Sequence, residues 1–576
     1  MYVETFCEQF VPAPLVAQPS ISNLSSVQMT VASTVLPSTS NLSSVQMTVA
    51  STVLPSTSNL SFATASHDLH WRWYYIIYLL LAWQIAAVFW KFWWKAPSNV
   101  TIAAYPTPLG RWLTALRMIV DSETLLQKAY DSSHGKPFAI PMTDRWIVFV
   151  SDRDQLKQLE CEPESLLSME EALHELAFTE PILGHLQVPP EHKGPKSEAF
   201  RVMIGVLKNK LRSNVPAMSN AFQMRIRDAV ALEVTPPNDK CVQDHGDWQK
   251  VRLMPALLRI FTRVNLLAFI GEDQADRLEV YDNVMSFFWS CAKAFPILNL
   301  TPGFLLPLIG PIAMGWGVTR HKVYDLLLWL TCQTLEGEDS CDGKTQAQGH
   351  ITQWTAEMTR LQDAAAVAKV TLGLLFASAF QVPMIAQFCI YSFCKHPEYH
   401  ERLRAEAEEC KDASFGSLNQ EMPYLDSFVK ETARLSPGPI LSAPRTVMAP
   451  YTSSDGYHVP TGNWLAIPQL SLMRDESIWP RAAAFEGFRF VDEKNGTSET
   501  RLTHPSYEFP FWGSIRHACP ARFYVSVVMK MILSHLIVDY EFKLADPTGR
   551  PYLTFGKTRL PNPFMTILVR KRSGGN

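Results

Sequence analysis

Residues 1 to 71 contain no lysine or arginine. The 576-residue chain carries a net charge of only −3, with no long basic stripe, which excludes a nucleic-acid-binding reading. No CxxC pair is present among the ten scattered cysteines (Cys7, Cys161, Cys241, Cys291, Cys332, Cys341, Cys389, Cys394, Cys410 and Cys519). Zinc sites and redox dithiols are therefore disfavoured. No secreted disulfide framework is visible either, which fits a reducing compartment for most of the chain. Flavin and nicotinamide fingerprints are also missing, so redox chemistry on this chain must draw electrons from another protein. What is present, 47% hydrophobic and 19% charged residues, is the composition of an ordinary folded protein.

Residues 23–40 are repeated unchanged at 41–58, and a third copy begins at Asn59. The unit is too rich in Ser and Thr to bury a face, so residues 1–70 read as a disordered extension. Each copy holds an Asn-Leu-Ser sequon, at Asn23, Asn41 and Asn59. Residues 73–90, WYYIIYLLLAWQIAAVFW, are long and apolar enough to approach the span of a bilayer core, with Trp and Tyr at both ends. Lys91 and Lys95 follow, whereas only Arg72 precedes. The positive-inside rule makes 71–94 a single-pass anchor, with the rest of the chain cytosolic and the repeats lumenal. A buried core helix is the alternative; a cleaved signal peptide would lie nearer Met1. Residues 95–111, with Pro97, Pro106 and Pro108, read as a stiff hinge, neither strand nor helix interior. From residue 112 to 576 the expectation is one helix-rich domain. Residues 370–393 read as one central buried helix kinked near Pro383, and 396–410 and 423–437 as charged surface helices. Residues 286–317 read as short helices and loops broken by Pro296, Pro302, Pro307 and Pro311. They suit either a membrane-facing substrate entrance or ordinary core.

Three features carry chemistry. In KETARL, Glu431 and Arg434 are three apart and share a helix face. FEGFRF (485–490) presents Arg489 on an aromatic-rich turn. FPFWGSIRHACPARF (509–523) sets Cys519 among basic residues and a proline, an odd place for a merely structural thiol. In this order and spacing the three resemble the signature of the cytochrome P450 family of haem-thiolate monooxygenases, in variants like those of filamentous-fungal, membrane-bound enzymes of specialised metabolism. The resemblance implies a mostly α fold with small β-sheets, after one transmembrane helix. It implies haem b, with the thiolate of Cys519 as axial ligand, a role favouring O–O cleavage. Trp512 stands at the family's leading phenylalanine. Arg516, His517 and Arg445 stand where haem propionates are held, with a solvated loop as the alternative for Arg516 and His517. Glu431, Arg434 and Arg489 are expected to form a buried structural network. The apolar run 523–538 is expected to be a helix whose N-terminus points back at the sulfur.

Two departures stand out. Gln381 occupies the place of the family's distal threonine, with Phe380 before it; an amide can hold a water but is a poor proton relay. Ile515 replaces a glycine usual in the cysteine loop, where a tight turn favours glycine. The resemblance implies a monooxygenase that acts on a hydrophobic terpenoid, meroterpenoid or polyketide intermediate. Its electrons would come from NADPH–cytochrome P450 reductase, with cytochrome b5 as an optional further donor, at the endoplasmic reticulum membrane. The alternatives are a redox-neutral haem-thiolate isomerase or dehydratase, which Gln381 motivates, and a haem-binding protein without turnover.

Overall fold

The structure, a computed structural model, describes residues 95–572 except 189–197, 235–247, 302, 338–348, 360–362, 411–421, 493 and 499. It also describes residues 74–76, 78, 79, 82, 83, 86 and 87 of the expected anchor, and these are helical. The tandem repeats lie outside the described residues. The chain divides into two units, Met1–Ala87 and Val88–Asn576, and the second holds every candidate site residue.

The strands that frame the site are β1 (Thr101–Ile102), β2 (Phe138–Pro141), β3 (Trp146–Phe149), β4 (Leu167–Ser168), β5 (Gln249–Arg252), β6 (Ser442–Val447), β7 (Trp464–Ile467), β8 (Tyr540–Leu544), β9 (Tyr552–Phe555), β10 (Thr558–Pro561) and β11 (Thr566–Lys571). Six form one sheet in the order β1-β2-β3-β7-β6-β4. Its centre is apolar on both faces: all four residues of β2, β3 and β7 are buried, which is why FAIP, WIVF and WLAI show no polar alternation. A three-stranded sheet, β8-β11-β5, and the hairpin β9-β10 complete the framework.

The hinge expected over 95–111 is instead docked into this unit. β1 pairs in parallel with β2, Ser98 and His458 exchange backbone hydrogen bonds of 3.0 Å, and Asn463 Nδ2 donates to Lys95 O at 2.8 Å. Pro108 then opens helix α1 (Pro108–Val120), where its missing N–H is not needed. The prolines mark junctions between elements, not a free linker.

The helices that matter are α2 (Met169–Leu176), α3 (Leu253–Ile270), α4 (Leu278–Leu300), α5 (Ala364–Ser378), α6 (Gln381–Lys395), α7 (His400–Glu409), α8 (Pro423–Leu435) and α9 (Arg522–Asp539). Leu253–Ile270 and Ala364–Lys395 are long and apolar enough to cross a membrane, but α3 is largely buried and α5–α6 supplies much of the main core. Three expectations change. The central helix is two helices, interrupted at Ala379–Phe380; Pro383 lies in the first turn of α6, where an N–H has no helical partner to lose. Pro296 does not break the chain, because α4 runs through it to Leu300 with Cys291, Ala294 and Leu298 buried. The charged helix α8 is not at the surface: every residue from Leu425 to Arg434 is buried.

That burial requires partners for each charge. Asp426 Oδ1 accepts from Lys530 Nζ of α9 at 3.0 Å, and its Oδ2 from Leu502 N at 2.6 Å. Lys430 Nζ donates to Thr500 O and Oγ1 at 2.9 and 2.8 Å. Glu406 of α7 accepts the otherwise orphaned N–H groups of Tyr424 and Leu425 at the start of α8. Burial pushes the Glu406 carboxyl up to about 7, with those two N–H groups opposing the shift.

Candidate haem-thiolate site

Glu431 and Arg434 are wholly buried on α8. Arg434 Nε and Nη2 each donate to the Glu431 carboxylate at 2.8 Å, a fork-on-fork pair. Arg489 Nε donates to both oxygens at 3.1 Å, and Glu486 N donates to Oε1 at 3.0 Å. The two guanidiniums spend their remaining donors on backbone. Arg434 Nη1 reaches Met473 O and Ala482 O at 2.6 and 2.8 Å, and Arg489 Nη1 reaches Pro480 O at 2.6 Å. The irregular chain from 473 to 489 is thus wound around one ion cluster. The structure brings together all three residues that the sequence nominates.

The cysteine loop is shaped by Gly513, at φ +96° and ψ −159°, a conformation that favours glycine. A Cβ there would sit 3.1 Å from His517 O. Trp512 O accepts from Cys519 N at 2.8 Å, which closes the loop, while Trp512 Nε1 donates to Leu502 O at 2.6 Å. Ile515, the unusual residue, is not among the positive-φ positions and is exposed. The turn is supplied two residues earlier, so the missing glycine leaves the loop intact.

Helix α9 begins three residues after Cys519. Burial pushes the Cys519 thiol up, while the backbone N–H groups of Ala521 and Arg522 and the Arg522 guanidinium oppose this. Those donors are the helix-end polarity that a thiolate needs. Arg522 is fixed by bonds to Cys519 O and Thr503 O, both 3.0 Å. Arg445 and His517 meet: Arg445 Nη2 lies 3.0 Å from His517 Nδ1. A guanidinium only donates, so Nδ1 is the acceptor and the ring proton sits on Nε2. Burial, then the Arg445 charge, lower the His517 pKa and keep the ring neutral. Arg516 does not join them by a bond. Its guanidinium is 3.9 Å from Cys161 Sγ, and its backbone N–H goes to Glu160 at 3.1 Å.

Glu160, on the helix Arg153–Cys161, also accepts from Tyr507 Oη at 2.7 Å and so clamps the loop from outside. Nothing in the sequence near Glu160 marks this, because its partners are some 350 positions away. Asn265 of α3 was equally unmarked. Its Nδ2 donates to Ser378 Oγ at 2.7 Å, and its Oδ1 lies 3.5 Å from Tyr524 Oη of α9. Gln381 is the first residue of α6 and is exposed beside buried Val382, with its Oε1 3.8 Å from the place of a Cβ on Gly438.

The residues fit a haem. Cys519 retains accessible surface although it lies deep among protein atoms, as a side chain facing an internal space does. One end of the donor set is a sulfur with N–H donors at it, suited to a metal. The other is the buried cation Arg445, held at Leu167 O (3.2 Å) and near Glu164 (3.7 Å), suited to a carboxylate.

Residues 293–567 match the model of the cytochrome P450 family. The cytochrome P450 monooxygenase olcJ of Penicillium canescens is 27% identical over 64% of this chain and 70% of its own length. The ent-kaurene oxidase of Gibberella intermedia is 24% identical over 88% of this chain and 94% of its own. A solved structure, the retinoic acid-bound cyanobacterial CYP120A1, superposes with a TM-score of 0.59 at 15% identity, covering 83% of this chain and all of the other. The chain belongs to the cytochrome P450 family. It is a monooxygenase of that family, with the family's mostly helical fold and its cysteine-ligated haem, and its relatives are fungal enzymes of specialised metabolism.

Replacing Glu431 by Ala leaves two buried guanidiniums without a counter-charge, a cost of order 3–5 kcal/mol. Glu431→Ala should therefore accumulate as haem-free, aggregated protein. The haem-to-protein absorbance ratio of the purified variant checks this; a variant that loads haem normally and is merely slow would contradict it.

Proposed function

We propose that this protein is a membrane-anchored monooxygenase that uses O2 and NADPH-derived electrons to oxidise a hydrophobic terpenoid, meroterpenoid or polyketide intermediate, with Cys519 as the iron ligand. The Cys519 loop carries the reading: a glycine-made turn, a closing hydrogen bond to Trp512 O, and N–H donors from Ala521 and Arg522 at the sulfur. When bound, haem supplies oxygen activation, which a thiolate ligand promotes. The protein's own share is placement. The Glu431 cluster holds the 473–489 chain, Arg445 and His517 receive a propionate, and Arg522 pins the carbonyl of Cys519. Gln381, at the interruption between α5 and α6, holds a water by its amide in place of a hydroxyl relay.

Membrane attachment is supported by the aromatic-flanked run 73–90 and by a second exposed apolar surface. Leu308, Ile312 and Trp316 lie open to solvent. Trp316 is held out at φ +56° between Gly315 and Gly317, both also left-handed. A bulky residue costs energy in that conformation, and an interfacial lipid contact is a physical reason to keep it there. With residues 71–94 as the span, the catalytic unit lies on the cytosolic side of the endoplasmic reticulum membrane. There it meets NADPH–cytochrome P450 reductase, and cytochrome b5 as an optional donor. The proposed substrate class is supported by the relatives, one of which is named for ent-kaurene, a diterpene.

The reduced, carbon-monoxide-bound difference spectrum of microsomes tests the ligand. The wild type should give the strongly red-shifted thiolate band, and Cys519→Ala should lose it together with all turnover; a band that survives the substitution would refute the assignment. Gln381→Thr should raise the share of NADPH electrons recovered in oxidised product, and lower coupling would show the glutamine to be adapted to its own chemistry. Peptide mapping should find glycans at Asn23, Asn41 and Asn59; unmodified asparagines on a membrane-inserted chain would reverse the orientation.

A further inference from the structure

Glu160 stands where a carboxylate gains least. It is the next-to-last residue of the helix Arg153–Cys161, whose last turn holds no basic residue. The negative end of the helix dipole disfavours an acid there. Glu160 is also buried, at 8% exposure, and among the described residues it forms no ion pair. The donors that reach it are neutral, the Tyr507 phenol at 2.7 Å and the Arg516 backbone N–H at 3.1 Å among them. Burial opposes ionisation, yet the bonds it accepts hold the carboxyl below its usual range, so the group is charged. A buried charge with only neutral partners costs stability. A neutral acceptor would hold the loop as well, so the charge itself calls for a reason.

What the charge faces is the cationic end of the site. Arg516 N, which Glu160 holds, adjoins His517, and His517 accepts from Arg445 Nη2 at 3.0 Å. Glu160, Arg445 and buried Ser514 line one cavity of about 20 Å³, room for about one water. Screening between the acid and the guanidinium is therefore slight. The strand is distorted where they meet. The register of β6 shifts between Ser442 and Arg445, and Ala443, which lines the same cavity, is left-handed at φ +46°. Such a conformation is strained for a residue with a Cβ, and a bulge of this kind re-aims the side chain that follows it. Arg445 is already matched by Glu164, 3.7 Å away, which also accepts from Met169 N at 2.9 Å. Glu160 is thus a surplus negative charge.

Resting on the haem-thiolate reading above, we infer that Glu160 is a positioning residue whose fixed negative charge, set against the Arg445–His517 pair, lowers the reduction potential of the haem iron. A negative charge nearby favours the ferric state over the less positive ferrous one. The bond to Arg516 N keeps that charge at one place relative to the loop that carries Cys519. The clamp on the loop and the setting of the potential are then one device, and reduction needs a donor of correspondingly lower potential.

Spectroelectrochemical titration of the full-length, haem-loaded protein, read at the Soret band, tests this. Glu160→Gln keeps the size and an acceptor oxygen but removes the charge. It should retain the thiolate band and move the ferric–ferrous equilibrium about tenfold toward ferrous, about 59 mV for one electron. Tyr507→Phe weakens the same clamp but leaves the charge and takes away a compensating dipole, so it should move the equilibrium toward ferric. A merely loosened loop would shift both variants the same way. An unchanged potential in Glu160→Gln, or shifts of one sign in both variants, overturns the inference while the haem-thiolate reading stands. Should Glu160→Gln not retain haem, Tyr507→Phe decides alone, and no shift or a shift toward ferrous overturns the inference. A wild type without the thiolate band overturns the reading itself, and this inference with it.

Discussion

A carboxylate sealed away from water is the constraint on which this fold rests. Glu431 has no solvent exposure, so its charge is tolerable only because two guanidiniums and a backbone N–H are aimed at it. The arginines extend the obligation outward. Each has more donors than the carboxylate can accept, and the surplus captures carbonyls of Met473, Pro480, Ala482 and Ala484. A stretch with little regular secondary structure is thereby given one conformation. The same helix, α8, is tied to the helix behind the cysteine by Asp426 and Lys530, both buried. The ion cluster and the sulfur are thus two ends of one polar framework threaded through an apolar interior.

Around the sulfur the division of labour is clear. Gly513 makes the bend, Trp512 O closes it, Arg522 holds the cysteine's carbonyl, and Glu160 grips the loop at Arg516 N. Because the bend depends on Gly513, position 515 is free to carry a branched, exposed side chain. On the far side, Gln381 heads a helix that starts afresh after Phe380, and Asn265 ties the end of the preceding helix toward Tyr524 of α9.

What the sequence makes legible is what neighbouring residues encode. Glu431 and Arg434 share a face by spacing alone, Cys519 announces itself by its company, and the run after it is a helix, Arg522–Asp539, close to the 523–538 expected. The misreadings share one cause, which is that the deciding partner is distant in the chain. Asp426 and Lys430 on α8 read as surface because Lys530 and Thr500 cannot be paired with them by inspection. Pro296 reads as a breaker because the packing that keeps α4 whole comes from other helices. Residues 95–111 read as a stiff hinge because the acceptors and donors that dock them, on His458, Thr461 and Asn463, come some 360 positions later. Lys530 did leave a trace, as a single cation in the apolar run VVMKMIL, but its partner did not.

That docking has a practical side. β1 covers the outer edge of β2, and the residues just before it are tied through Ser98 to His458, outside this sheet, and through Lys95 to Asn463, just ahead of β7. A shortened chain prepared for crystallisation by trimming at the prolines would strip that cover and leave β2 as a naked edge strand, buried-type and apolar on both faces, open to pairing with another molecule. The trimming point compatible with a monodisperse sample lies upstream of Lys95.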